Sequence, residues 1–126
     1  MASKSIHVVI GDLDDHPILN VETSGFEGFR RQFERARADA WQGGSGEALF
    51  PRDGLFTVFV ERRRSRYSTV SGHDLVHGDD VLRCVDHTLD ALVRHPDPSR
   101  FLPDYRDVRA RTEAARRQRD ADPVAA

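Results

Sequence analysis

Apolar residues fall in short runs and in spacings of three and four, and these two periods divide the chain into strands and helices. Residues 6–10 (IHVVI) form a strand-like run, and the turn-rich GDLDDH at 11–16 breaks it. Residues 17–22 then return as a second, edge strand, since a strand that opens on Pro17 suits an edge. Ser24 followed by Glu27 has the spacing of a capping box. Phe26, Phe29, Phe33, Ala36 and Ala40 follow as one helical stripe, which Gly43-Gly44 is expected to end after Trp41. Residues 43–54 read as a loop with a short strand at 48–50.

The run LFTVFV at 55–60 is β-branched and aromatic on both faces, which suits a central strand. Arg62, Arg63, Arg64 and Ser65 interrupt it, and residues 67–71 return as a more polar neighbour, completing a second hairpin. A second helix is expected from Asp79, with Val81, Val85, Leu89, Leu92 and Val93 along one face. It stops at His95, because Pro96 disfavours helical backbone in the residue before it. Residues 96–99 read as a linker, Phe101-Leu102 as an apolar anchor, and Pro103-Asp104 as the start of a third helix ending near Arg119. That helix carries six arginines and few large apolar residues, so it reads as a solvated helix or a tail that orders on a partner.

Two hairpins and two amphipathic helices in the order ββ-α-ββ-α predict an α+β fold. The expectation is a single two-layer domain, an antiparallel sheet of about four strands with both helices on one face, plus the Arg-rich C-terminal helix. Residues 1–102 would be the core and residues 103–126 the C-terminal helix with its polar tail. The strict strand-helix alternation of a parallel sheet is absent.

Composition narrows the function classes. The 126 residues carry a formal charge of -2, which gives no overall basic field for nonspecific binding to nucleic acid or anionic membranes. No apolar run approaches the length of a membrane span, so a cytoplasmic protein without membrane contact is expected. Cys84 is the only cysteine, which excludes an internal disulfide, and its helical setting suits a buried small hydrophobe. Lys4 is the only lysine, which leaves no obvious candidate for chemistry needing a buried titratable amine.

Four stretches carry candidate chemistry. In VVIGDLDDHP, the spacing Asp12-Leu13-Asp14 resembles the nucleophile loop of haloacid-dehalogenase-type phosphatases, and Asp14-Asp15-His16-Pro17 resembles the acidic pocket of response-regulator receiver domains. Both resemblances imply a lysine later in the chain, and Lys4 precedes the motif, so an Asp-rich turn joining two strands is the expected role. In GHDLVHGDD, His73 and His77 stand four apart, with Asp79 and His87 as further ligands for a metal-dependent hydrolase. The competing reading makes Gly72 and Gly78 the limits of an exposed connection, with Asp79 or Asp80 capping the second helix. Arg62, Arg63, Arg64 and Arg66 with Tyr67 form a basic hairpin tip able to grip phosphates and stack on bases. In the C-terminal helix, Tyr105, Arg109 and Arg116 are the expected partner contacts.

Gly44-Ser45-Gly46 follows a helix and is no nucleophile elbow, and the chain lacks a lysine-bearing phosphate loop. No catalytic residue and no cofactor is therefore assigned. The expected function is a small binding or regulatory protein acting through a protein-protein surface, in the manner of an adaptor, inhibitor or immunity protein, with a homodimer as one arrangement. Nucleic-acid binding and metal-dependent hydrolysis are the alternatives.

Overall fold

The computed structural model describes residues 5–42 and 50–122. It has four strands, β1 (Ile6–Gly11), β2 (Pro17–Thr23), β3 (Leu55–Ser65) and β4 (Ser68–His77), and three helices, α1 (Phe26–Gln42), α2 (Val81–Arg94) and α3 (Tyr105–Ala121). The strands form one sheet in the order β2-β1-β3-β4. Every neighbouring pair is antiparallel, so the expected α+β architecture with two hairpins is observed.

Alternation along the central strands assigns the two faces of the sheet. Ile6, Val8 and Ile10 of β1, with Phe56, Val58 and Val60 of β3, are buried on the face that receives α1 and α2. The aromatic stripe of α1 supplies Phe29 and Phe33, both fully buried, and Phe33 packs on Phe50 at 4.7 Å between ring centroids. Phe50 in turn meets Phe56 at 5.3 Å, which ties helix, loop and sheet into one aromatic chain. From α2, Val81, Val85, Leu89 and Leu92 complete this core, and the helix ends at Arg94 with His95 as its cap, as Pro96 requires.

One local expectation fails at the start of the first helix. Helix α1 begins at Phe26, with the Phe29 amide donating to the Gly25 carbonyl, so Gly25 occupies the cap position and the Ser24 capping box is not formed. Glu27 instead accepts from Arg30 at 2.7 Å. The expected stop at Gly43-Gly44, and all but Phe50 of the expected strand at 48–50, lie outside the described residues.

The larger correction concerns GHDLVH. The strand expected to end at residue 71 runs on to His77, because residues 72–77 pair in register with β3 from Val60 back to Leu55. The stretch is a sheet edge and not a loop. Gly72 fits there for a packing reason, since a Cβ at this position would stand 2.7 Å from Thr88 Cγ2 and 2.9 Å from Leu102 Cδ1. A single 3-10 turn, Gly78–Asp80, then leads into α2, and Asp80 at its N-cap makes no side-chain capping bond.

Helix α3 neither stands free in solvent nor trails as an unordered tail. Asp104 caps it by accepting from the Arg106 amide at 2.8 Å, and the helix lies on the sheet face opposite α1 and α2. There Tyr105 meets His73, whose partner in β3 is Phe59 on the face away from the main core. Among the described residues, no helix is long and apolar enough to cross a membrane.

Candidate binding groove at the edge of the sheet

The chain passes from α2, on one face of the sheet, to α3, on the other, around the outer edge of β4. Between this connector and the strand lies a groove of about 580 Å³. One wall is Val70, Ser71, Gly72 and His73, four consecutive residues of β4, so the groove follows the strand along its edge. The opposite wall is Pro96 to Ser99, Leu102, Pro103, Asp104 and Tyr105. Its volume falls in the range of roughly 300–1,000 Å³ typical of binding clefts.

Three proline rings explain why the connector leaves the strand edge unpaired. Pro96, Pro98 and Pro103 carry no amide hydrogen, so this segment is poorly suited to extend the sheet. Among the described residues, no backbone hydrogen bond joins the connector to β4. The other free edge, β2, opens on Pro17 and exposes Asn20 and Glu22, which blunts it against strand addition.

Among the described residues, four large apolar side chains are exposed, and one of them, Tyr105, lines the groove. Tyr67, 91% exposed, lies on the β3-β4 turn, three residues or roughly 10 Å along the chain from Val70. Val93 is on the last turn of α2, Phe101 is in the connector and Tyr105 opens α3. Phe101 is fixed by stacking on His95 at 3.9 Å between ring centroids. The charge of the groove lining comes from Asp97 and Asp104, with no Lys or Arg among the lining residues. Both carboxylates are held in place, Asp97 by the Ser99 hydroxyl at 2.5 Å and Asp104 by the Arg106 amide. His73 does not offset them, because partial burial lowers its pKa and favours the neutral imidazole.

The basic hairpin tip does not form one patch. Successive strand residues point to opposite faces, which separates Arg63 from Arg62, and Arg64 falls at the register shift between Arg63 and Ser65. Arg64 is also committed within the fold, donating to the carbonyls of Leu92 at 2.8 Å and His95 at 2.5 Å and so closing the C-terminus of α2. Arg66 and Tyr67 remain exposed on the turn.

The proposed metal ligands are likewise dispersed. On a strand, His73 and His77 lie about 13 Å apart along the chain direction, where a helix would have stacked them one turn apart. Asp79 faces Arg52 at 3.7 Å, and the exposed His87 ring lies 3.4 Å from the Phe101 carbonyl. His87 does share a shallow depression with Asp74, Asp80 and Cys84. Asp74, however, accepts from Arg111 at 2.8 Å, and burial pushes the Cys84 thiol up to about 12, far from a thiolate. Among the described residues, no group of three His, Cys, Asp or Glu side chains could hold a metal ion.

Arg109 and Arg116, expected to meet a partner, turn inward to the β1-β2 turn. Arg109 pairs with Asp15 at 3.1 Å. Arg116 donates through Nε to the Leu13 carbonyl at 2.9 Å and lies 3.5 Å from Asp14, while Arg119 pairs with Asp14 at 2.8 Å. The turn that presents these aspartates is built by Asp12, whose carboxylate accepts from the amides of Asp14 and His16 at 2.9 Å each. Asp15 adopts left-handed backbone, at φ 64°. The aspartates of GDLDDHP therefore serve as an arginine receptor within the fold. Sequence reasoning missed the groove itself because its walls come from two distant segments, neither of which carries a motif. The chain matches no protein-family model, no curated protein and no solved structure.

Proposed function

We propose that the protein is a non-enzymatic binding module that takes up an extended segment of a partner protein along the outer edge of β4. A Lys or Arg of that segment meets Asp97 and Asp104, and its apolar side chains lie against Tyr105 and the proline-rich connector. The observation that carries this reading is the unpaired β4 edge forming one wall of the groove, with both carboxylates on the other. Strand addition of this kind draws affinity from main-chain hydrogen bonds and specificity from the pockets beside them. Tyr105, the exposed aromatic residue in the groove wall, is of a type enriched at protein interfaces. The proposed setting is the cytoplasm.

The test is selection of a phage-displayed dodecapeptide library on the immobilised full chain. Enriched peptides should share a Lys or Arg within a β-prone run, and should bind the Asp97→Asn/Asp104→Asn double variant about tenfold more weakly. Asparagine is itself a good N-cap, so that variant removes charge without removing the cap of α3. Absence of enrichment, or peptides indifferent to the double variant, would overturn the reading. So would self-association or nucleic-acid binding that leaves the groove free.

A further inference from the structure

Helix α3 has an unusual balance of contacts. Of its 17 residues, only Val108 and Thr112 are buried, and a cleft of about 170 Å³ remains between the helix and the sheet. Close packing, the usual source of helix docking energy, is thus thin. Apart from the Tyr105–His73 ring contact and the Arg116 hydrogen bonds to the Leu13 carbonyl, charge supplies the rest: Arg109, Arg116 and Arg119 converge on Asp14 and Asp15 in the β1-β2 turn, and Arg111 reaches Asp74. These side chains are between 30% and 51% exposed at the turn, so salt can screen the pairs.

The two ends of α3 serve different sites. Its arginine-bearing end grips the turn, while its first residue, Tyr105, packs on His73 at 4.6 Å and forms part of the groove wall. Tyr105 and Arg119 are about 21 Å apart along the helix axis. A rigid helix of this length cannot leave the turn without disturbing the wall.

We infer that the arginine-aspartate contacts form a salt-sensitive latch, and that α3 leaves the sheet as a unit when it opens, removing the Tyr105 wall of the groove. This rests on the groove reading only for its regulatory consequence. The opening itself is a property of the fold. Helices docked by few apolar contacts belong to the low-stability end of a protein, where sub-global opening occurs. The latch then sets how much of the protein holds the groove in its binding shape.

The experiment is amide hydrogen exchange on the full chain and on the Asp14→Asn/Asp15→Asn variant, in 0.05 M and in 0.5 M sodium chloride. Asparagine tolerates the left-handed backbone at residue 15, so the turn is preserved. The expected result is exchange of α3 amides about tenfold faster in high salt for the native chain. The variant should exchange as fast at either salt concentration, with β1, β3 and α2 unchanged. Equal protection of α3 and β3 in both chains and both salts would overturn the latch, since α3 would then open only with the whole fold. A library-selected peptide should bind the variant about tenfold more weakly. Equal binding by a variant whose α3 has opened would overturn the coupling and leave the groove reading intact. Failure to select any peptide would overturn the groove reading while the exchange data still decide the latch.

Discussion

The rings of His73 and Tyr105 stand 4.6 Å apart, joining a strand edge to the first turn of a helix from the far end of the chain. Behind them Phe59 meets His73 at 5.0 Å and His7 at 6.1 Å, so a row of rings crosses β1, β3, β4 and α3. Burial penalises the charged form of His73 and lowers its pKa. Its proton is bound more tightly in the unfolded chain than in the fold. Stability should therefore fall as pH drops from the ordinary value of 6.5 toward the lower folded value, and the contribution should level off below it. Urea unfolding between pH 7.5 and pH 5 should show a smaller loss in His73→Phe than in the native chain. Equal slopes would mean that His73 is solvated in the fold.

Arg64 closes α2 through the carbonyls of Leu92 and His95. Arg64→Ala should lower stability by about 1–2 kcal/mol, in the range for losing charge-assisted hydrogen bonds. Arg66→Ala, at an exposed turn residue, should change it by less than about 0.5 kcal/mol. Chemical denaturation of the pair checks this. Similar losses for both variants would contradict a structural role confined to Arg64.

Gly72→Ala places a methyl group against Thr88 and Leu102. The expected cost is about 1–3 kcal/mol of overpacking. Adding Leu102→Ala should recover part of it, because the nearer Leu102 atom is removed. A double-mutant cycle reads the coupling, and additive losses would mean that the strain lies elsewhere.

Phe33 is fully buried between Phe29 and Phe50. Phe33→Ala should destabilise the fold by about 3–5 kcal/mol, as a large cavity does. Thermal unfolding gives the test, and a loss under about 1 kcal/mol would show that the aromatic chain is not the centre of the core.

Acid should release α3 before it unfolds the core. The hydrogen bond from Arg119 holds the Asp14 carboxyl below its ordinary pKa of 3.8. Its contribution is present above pH 3.8 and is lost as pH falls through the depressed value. Hydrogen exchange followed as pH is lowered below 3.8 should show α3 losing protection ahead of β1 and β3. Simultaneous loss would contradict a separate latch.

The elements that were legible in the sequence are those whose neighbours in the chain determine them. The run 55–60, the stripe Phe29-Phe33 and the face Val81-Val85-Leu89-Leu92 are each a local period with a large apolar payload, and each forms the expected element. The strand in GHDLVH is not legible because its alternation is hidden by polar residues: His73 and Asp74 sit on opposite faces of an edge strand, where polar side chains reach water or a partner. The docking of α3 was not legible for another reason. Asp14 and Arg119 are 105 positions apart, and no local pattern indicates which carboxylate an arginine will find. The groove combines both difficulties, having one wall from β4 and the other from the connector.

The most direct measurement is a titration of the ¹⁵N-labelled full chain with a library-selected peptide, followed by amide shifts, hydrogen exchange and cross-strand contacts. Strand addition requires shifts across Val70, Ser71, Gly72 and His73 and slowed exchange at those of their alternate amides that point away from β3, with peptide backbone contacts along the outer edge of β4. Shifts confined to Arg66 and Tyr67, to the β2 edge or to the outer face of α3, with β4 silent, would contradict the account.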